Sequence, residues 1–248
     1  MGAQYDTLSE SYSEFVQFDP CKKFVQYPET ISLLGSIRNQ TLLDVGCGGG
    51  NLTRQLAKKG AKVLSYDLSK EQISLAKKQE QKDELGIKYF VSEPEYIEKM
   101  LKKEFDKGFL VDKAVSTLVL HYAKDFPYLI QFFESTFNLL KDGGEFVGII
   151  SNPDYKKLNQ LRYNRFFQKT KTGMKADFFD FSGKVSMTIQ FSDFSRKDYE
   201  NASKKAGFKS FKWVNMKIDK LGIKKMGSSY WNGFEEDCPY VGFIAKKD

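Results

Sequence analysis

The residues best able to do chemistry in this 248-residue chain lie in one run, LLDVGCGGGNLTRQLAKKGAKVLSYDLS at 42–69. Asp44, Gly46, Gly48 and Gly50 alternate through DVGCGGG, and Asp67 follows 21 residues after Gly46. Without a Cβ in the way, such a loop lets the backbone approach a ligand closely. A carboxylate at about this offset can accept both hydroxyls of an unphosphorylated ribose, and it would repel a 2′-phosphate. The dinucleotide pattern GxGxxG fails, because Asn51 stands where its third glycine belongs. The phosphate-cradling pattern GxxxxGK[ST] is absent. A purely structural glycine turn is the other reading of the loop, and the acid at Asp67 speaks against it.

Placing these groups requires a strand before the loop, a helix after it and a second strand ending at the acid. The sequence supplies that alternation: TLLDV at 41–45, AKVLSY at 61–66, IKYFV at 87–91, VDKAVSTLVL at 111–120 and EFVGII at 145–150 read as strands. Segments 50–59, 70–80, 95–103 and 125–140 read as the intervening helices, and KDGG at 141–144 as a helix stop and turn. The expected fold is therefore α/β, a Rossmann-like doubly wound parallel sheet with ligands at the carboxyl ends of its strands. Upstream, Phe24, Tyr27, Ile31, Leu34 and Ile37 recur at helical spacing, with Pro28 kinking or starting that helix. Beyond 151 the rhythm breaks. Residues 152–183 are polar and aromatic and form no clean strand–helix unit, 184–191 (KVSMTIQF) alternates like a strand, and 196–206 reads as a helix ending at Gly207. Segments 208–218 and 240–246 complete the strands, about seven in all. The expected organisation is an N-terminal helical lid at 1–40, a core of 41–151 and 184–248, and a cap insertion at 152–183 between the fifth strand and the last helix.

The run at 42–69 resembles the first motif and ribose-binding acid of class I S-adenosylmethionine-dependent methyltransferases. The resemblance continues to residue 150 and resumes at DYENASKKAGFKSFKW, covering roughly three quarters of the chain and weakest over 152–190. It implies a methyl transfer enzyme using S-adenosyl-L-methionine and releasing S-adenosyl-L-homocysteine. It also implies that Asp44, Gly46, Cys47 and Gly48 line the methionine end, that Asp67 binds ribose and that Leu68 packs on adenine. Glu93, in YFVSEPEYI, replaces the commoner acid near the adenine amino group, and it equally reads as a helix-capping or solvated acid. Thr117 and Leu118 correspond to the wall beside the sulfonium. His121 falls where small-molecule members carry histidine, as a general base, a substrate contact or a partly buried packing residue. Tyr5 and Tyr12 resemble the tyrosines of the lid in small-molecule members, closing the site or simply anchoring a helix. A secondary-metabolite type branch is suggested by Tyr230 and Trp231 in the loop before the last strand.

The substrate would meet the cap. Tyr122, Tyr155, Arg162, Tyr163, Phe166 and Trp231 are the candidate contacts, with Phe167, Phe178, Phe179 and Phe181 able to sandwich a flat ring and Arg162 or Arg165 to meet an anion. The same aromatic residues would equally serve as the cap's own core. The net charge of +7 raises an RNA or protein substrate, but the lysines are spread along helices and read as a solvated surface. SNPDY at 151–155 follows the fifth strand and lacks the second proline of the nucleic-acid amino-methyltransferase tetrad. His121 is the only histidine, so no histidine-built metal site is expected. The three scattered cysteines fit reduced thiols, the opening MGAQYDTLSESYSEF lacks a secretion-signal profile, and no apolar run reaches the ~20 residues of a membrane span. The expectation is a cytoplasmic monomer or homodimer that methylates nitrogen or oxygen of a small molecule. A non-catalytic binding protein on the same scaffold is the reading from a different class.

Overall fold

The computed structural model describes Phe15 and residues 18–248. Tyr5 and Tyr12 lie outside the described residues, so their expected roles at the site carry forward only as proposals. A π-helical turn, Lys22–Gln26, runs directly into α1 (Tyr27–Leu34), whose start is set by Pro28 in its first turn. The alternation then follows: β1 (Thr41–Val45), α2 (Asn51–Lys58), β2 (Lys62–Asp67), α3 (Lys70–Lys82), β3 (Lys88–Val91), α4 (Pro94–Glu104), β4 (Val111–Thr117), α5 (Phe126–Leu139) and β5 (Leu140–Ser151). Local chemistry fixes the helix starts. The Ser69 hydroxyl accepts from the Gln72 N–H, and the Asp125 carboxylate accepts from the Tyr128 N–H.

The main sheet has seven strands in the order β10-β11-β5-β4-β1-β2-β3, with β10 (Ser210–Asn215) and β11 (Tyr240–Lys246). The strands from β5 to β3 pair in parallel, while β11 pairs antiparallel with both β5 and β10. This is the Rossmann-like doubly wound sheet the sequence implied. Successive residues face opposite layers. In β4, Ala114 joins the core under α4 and α5 while Val115 joins the core under α1, α2 and α3; in β5, Phe146 and Val147 divide the same way. The turn expected at KDGG is folded into the start of β5. Val111 pairs with Leu140 but Lys113 with Glu145, so three extra residues bulge out, with Gly143 at φ +74°.

The segment after β5 is a second sheet, all antiparallel, in the order β6-β7-β8-β9: Leu161–Arg162, Arg165–Thr170, Gly173–Phe179 and Val185–Phe191. Residues 184–191, expected with the core, are therefore hydrogen-bonded to β8, and the core sheet gains nothing from them. Alternation identifies a strand but leaves its partner open. The inner face of this sheet buries Phe167, Met174, Ala176, Phe178, Met187 and Ile189, with Phe15 and Tyr155 packed on it. Then α6 (Arg196–Ala206), started by a Ser195/Asp198 capping box and ended at Gly207, leads to β10, and α7 (Lys220–Met226) to the final loop. No helix among the described residues is long and apolar enough to cross a membrane.

Arg165 ties these layers together. It is wholly buried, its guanidinium paired with the Asp19 carboxylate and donating to the Tyr240 hydroxyl. The anion it meets is thus the chain's own. The expected role of Arg165 toward a substrate anion is replaced by clamping the N-terminal segment, β7 and β11.

Candidate active site

A cavity of about 750 Å³ opens at the carboxyl ends of β1, β2 and β4. That size falls within the usual range for small-molecule sites, about 300–1,000 Å³. Asp44, Gly46, Cys47, Gly48, Asp67, Leu68, Glu93, Thr117 and Leu118 all line it. The structure thus brings these nine residues together.

The loop geometry follows from its glycines. Gly46, Gly48 and Gly50 have φ of +73°, +52° and +82°, in the region that L-residues rarely adopt. Gly46 and Cys47 both donate their N–H to the Tyr66 carbonyl, at 2.8 and 3.0 Å, which curls the chain back over β2. A Cβ on Gly46 would stand 2.4 Å from Val119 Cγ2. Gly46→Ala is therefore expected to destabilise the fold by about 2 kcal/mol, from left-handed strain plus overpacking. A urea midpoint unchanged from wild type would show that the loop relaxes freely.

Two carboxylates face this loop differently. Asp67 is half-buried and accepts from the Gly48 N–H at 2.8 Å and the Ser69 N–H at 2.9 Å, fixing the loop against the start of α3. Asp44 is buried and accepts from the Thr53 hydroxyl at 2.6 Å. Burial, with the Asp67 charge adding to it, pushes the Asp44 carboxyl up to about 7 against the pull of the Thr53 hydrogen bond. Glu93 stands at the N-cap of α4 with no capping hydrogen bond, and the Tyr128 hydroxyl donates to its Oε2 at 3.5 Å. Burial and this carboxylate hold the Tyr128 phenol well above its ordinary range. Leu68 is 40% exposed against the cavity, an uncovered apolar surface where a flat ring can rest. Leu118 adopts φ +60°, held by its N–H to the Ile149 carbonyl at 2.7 Å.

His121 lies beside the site as a buried ring. It does not line the large cavity; its buried ring packs between Tyr122 and Phe191, centroids 4.5 and 4.8 Å away. Burial, then the Lys22 charge, lowers the imidazole to about 3. It is neutral at ordinary pH and a poor proton acceptor, which counts against a general base and for a polar contact.

Of the expected substrate contacts, only Tyr122 lines the large cavity. Tyr155 lines a separate cavity of about 20 Å³ beside His121, and Phe166 lines neither of these two. Arg162, Tyr163 and Trp231 are spent on one another's surroundings. Arg162 Nη2 and the Tyr163 hydroxyl both donate to the Asn232 carbonyl, and Trp231 Nε1 donates to the Gly222 carbonyl at 3.0 Å. Tyr163 and Trp231 form an aromatic core with Phe234 and Tyr240, and none of the three residues lines the large cavity. Phe167 and Phe178 pack in the inner face of the second sheet, while Phe181 is exposed.

The sequence reading missed the opposite wall. Lys22 and Tyr27 come from the π turn and α1, Tyr128 and Phe132 from α5, and Thr170, Thr172, Gly173, Met174 and Gln190 from the β7–β8 turn and β9. A period-two pattern over 165–178, with Arg165, Phe167, Met174, Ala176 and Phe178 all buried, was the available signal for that hairpin.

A family profile described as "Methyltransferase domain" matches residues 37–207. The ubiquinone biosynthesis O-methyltransferase of Pelagibacter ubique (strain HTCC1062) is 33% identical over 115 residues, 46% of this chain and 44% of that protein. The chain thus spans less than half the length of that curated relative. A solved S-adenosylmethionine-dependent methyltransferase from Mesorhizobium loti superposes with a TM-score of 0.62 at 18% identity, covering 94% of this chain and all (100%) of the other. Phosphoethanolamine N-methyltransferase 2 of Haemonchus contortus, solved with S-adenosyl-L-methionine, superposes at 0.59 with 16% identity, covering 98% of this chain and 57% of that one. At those identities the two structures establish shared fold.

Proposed function

The chain belongs to the methyltransferase-domain family, and from that premise we propose that it transfers a methyl group from S-adenosyl-L-methionine to an oxygen or nitrogen of a small molecule. The observation that carries this reading is the convergence of Asp44, the glycine loop and Asp67 on one cavity large enough for a nucleoside with an amino-acid tail and an acceptor beside it. The residues fit that cofactor. A carboxylate faces a loop whose glycines leave the backbone bare, an uncovered leucine offers a surface for a flat base, and a second carboxyl is buried with little to balance its charge.

When bound, the cofactor supplies an activated methyl on a sulfonium; the chain's work is to hold, orient and exclude water. Asp67 would accept the ribose hydroxyls while keeping the loop closed, and Leu68 would cover the adenine. Glu93, steadied by Tyr128, would accept from the adenine amino group. Asp44, Gly46, Cys47 and Gly48 would line the methionine end, and Thr117 and Leu118 the wall where transfer takes place. The turn between β7 and β8 would cover the acceptor. Tyr5 and Tyr12 would complete the lid.

The name of the Pelagibacter relative favours oxygen as the accepting atom and a small molecule over RNA or protein. In a thermal melt, S-adenosylhomocysteine at about 100 times its dissociation constant should add ~2.7 kcal/mol of stability. For a chain of this length that is a rise of roughly 5–10 °C. Stabilisation by NAD with no response to S-adenosylhomocysteine would overturn the reading.

A further inference from the structure

Beside the large cavity lies a smaller chamber of about 40 Å³ that shares Lys22, Leu118, Tyr122 and Phe191 with it. At ~10–15 Å³ for each water-sized occupant, the chamber holds about three non-hydrogen atoms. One wall is apolar, built by Phe15, Phe167 and Phe178. The other is polar and carries an anomaly. Gln26 is 1% exposed, yet among the described residues neither end of its carboxamide, Nε2 or Oε1, has a hydrogen-bond partner. Nδ1 of His121, on the same chamber, has none among them either. Each buried polar group left unmet costs about 1–3 kcal/mol, so such groups persist where water or a ligand meets them. Gln26 also closes the π-helical turn Lys22–Gln26, a backbone form that recurs at functional sites.

Building on the methyltransferase reading, we propose that this chamber receives the head of the methyl acceptor. That head is a neutral planar group of about three non-hydrogen atoms with a donor beside an acceptor, as in a carboxamide or the edge of a lactam ring. Gln26 is its specificity-determining residue. Its Nε2 donates to the head's oxygen and its Oε1 accepts from the head's N–H, the reciprocal pairing of two amides. The chamber suits a neutral head. The imidazole beside it is uncharged at ordinary pH, and the Asp19 carboxylate on its wall is already paired with Arg165. Lys22 faces both spaces. The body of the acceptor passes Leu118 and Tyr122 into the large cavity, so the fixed backbone at Leu118 sets the distance between head and methyl.

Benzamide, benzoate and acetophenone separate the possibilities: neutral donor with acceptor, anion, and acceptor alone. Their binding to the full chain saturated with S-adenosylhomocysteine is measured by ligand-observed NMR. Benzamide should bind at least ~10-fold more tightly than the other two, a difference of about 1.4 kcal/mol. Gln26→Leu and the near-isosteric Gln26→Glu should each weaken it by at least ~10-fold, while both variants still melt higher with S-adenosylhomocysteine. Three results would overturn the proposal: equal or absent binding of benzamide, wild-type affinity in both variants, or a crystal structure with benzamide in which only ordered water meets Gln26. Failure of S-adenosylhomocysteine to stabilise the wild-type chain would instead remove the methyltransferase reading beneath it.

Discussion

Asp67→Ala should abolish the rise in melting temperature that S-adenosylhomocysteine gives the wild-type chain and weaken its binding about 1,000-fold, or ~4 kcal/mol. The magnitude follows from two lost hydrogen bonds to a charged group, at about 1.5–3 kcal/mol each. A carboxylate accepts at several positions, so holding the Gly48 and Ser69 N–H groups is compatible with accepting ribose hydroxyls. Those two N–H bonds mean that alanine also loosens the loop. Asp67→Asn separates the contributions, because its amide oxygen still accepts from one N–H while the charge is gone. Asparagine should therefore bind more weakly than wild type and more tightly than alanine. Titration calorimetry reads the affinity and a urea melt reads the fold. Wild-type affinity in Asp67→Ala would end the assignment of this acid to the ribose.

The second large effect is on stability against pH. The Asp44 carboxyl is raised to about 7 in the fold from an ordinary 3.8, chiefly by burial. The folded state therefore holds a proton that the unfolded chain releases, so the stabilising contribution is complete below about pH 4. It is lost as pH rises through the window from about 4 to about 7, and is gone above it. At 1.36 kcal/mol per pH unit the loss amounts to about 4 kcal/mol. Asp44→Asn keeps the shape and carries no charge, so it should gain on wild type across this window. At pH 8 the gain over its value at pH 4 should reach roughly 8–16 °C in melting temperature. Binding of S-adenosylhomocysteine should weaken in the same variant. Parallel melting curves for wild type and Asp44→Asn from pH 4 to pH 8 would show that the carboxyl is not held in its uncharged form. A buried acid destabilising at working pH is the pattern of a group retained for a ligand.

The parts of the site that were legible in the sequence are those within one strand–loop–helix–strand unit. Gly46, Gly48 and Asp67 meet because β1 and β2 are adjacent parallel strands, with Val45 opposite Tyr66 and the loop following directly. That geometry is dictated by short-range rules: strand period, glycine conformation and a helix of fixed rise. The alternation of buried strands and amphipathic helices up to β5 was readable for the same reason. Beyond β5 the reading identified elements without their partners. The strand at Val185–Phe191 was visible as an alternation, but its pairing with β8 was not. Arg162, Tyr163 and Trp231 had the residue types of a substrate site and are met within the chain, the first two by the Asn232 carbonyl and Trp231 by the Gly222 carbonyl.

The sequence by itself determined the fold class and the glycine loop at the large cavity, because both rest on contacts between neighbours along the chain. Only the tertiary structure decided which residues share the smaller chamber. Lys22 with Gln26, Leu118 with His121, and Phe191 come from three separate parts of the chain and meet at one chamber. No spacing rule links them. Their meeting depends on how the second sheet folds back over the carboxyl ends of the first, with Arg165 holding Asp19 and Tyr240 across the layers. Burial then set the chemistry, leaving His121 neutral and Gln26 without a partner among the described residues, where the sequence showed only a histidine and a glutamine.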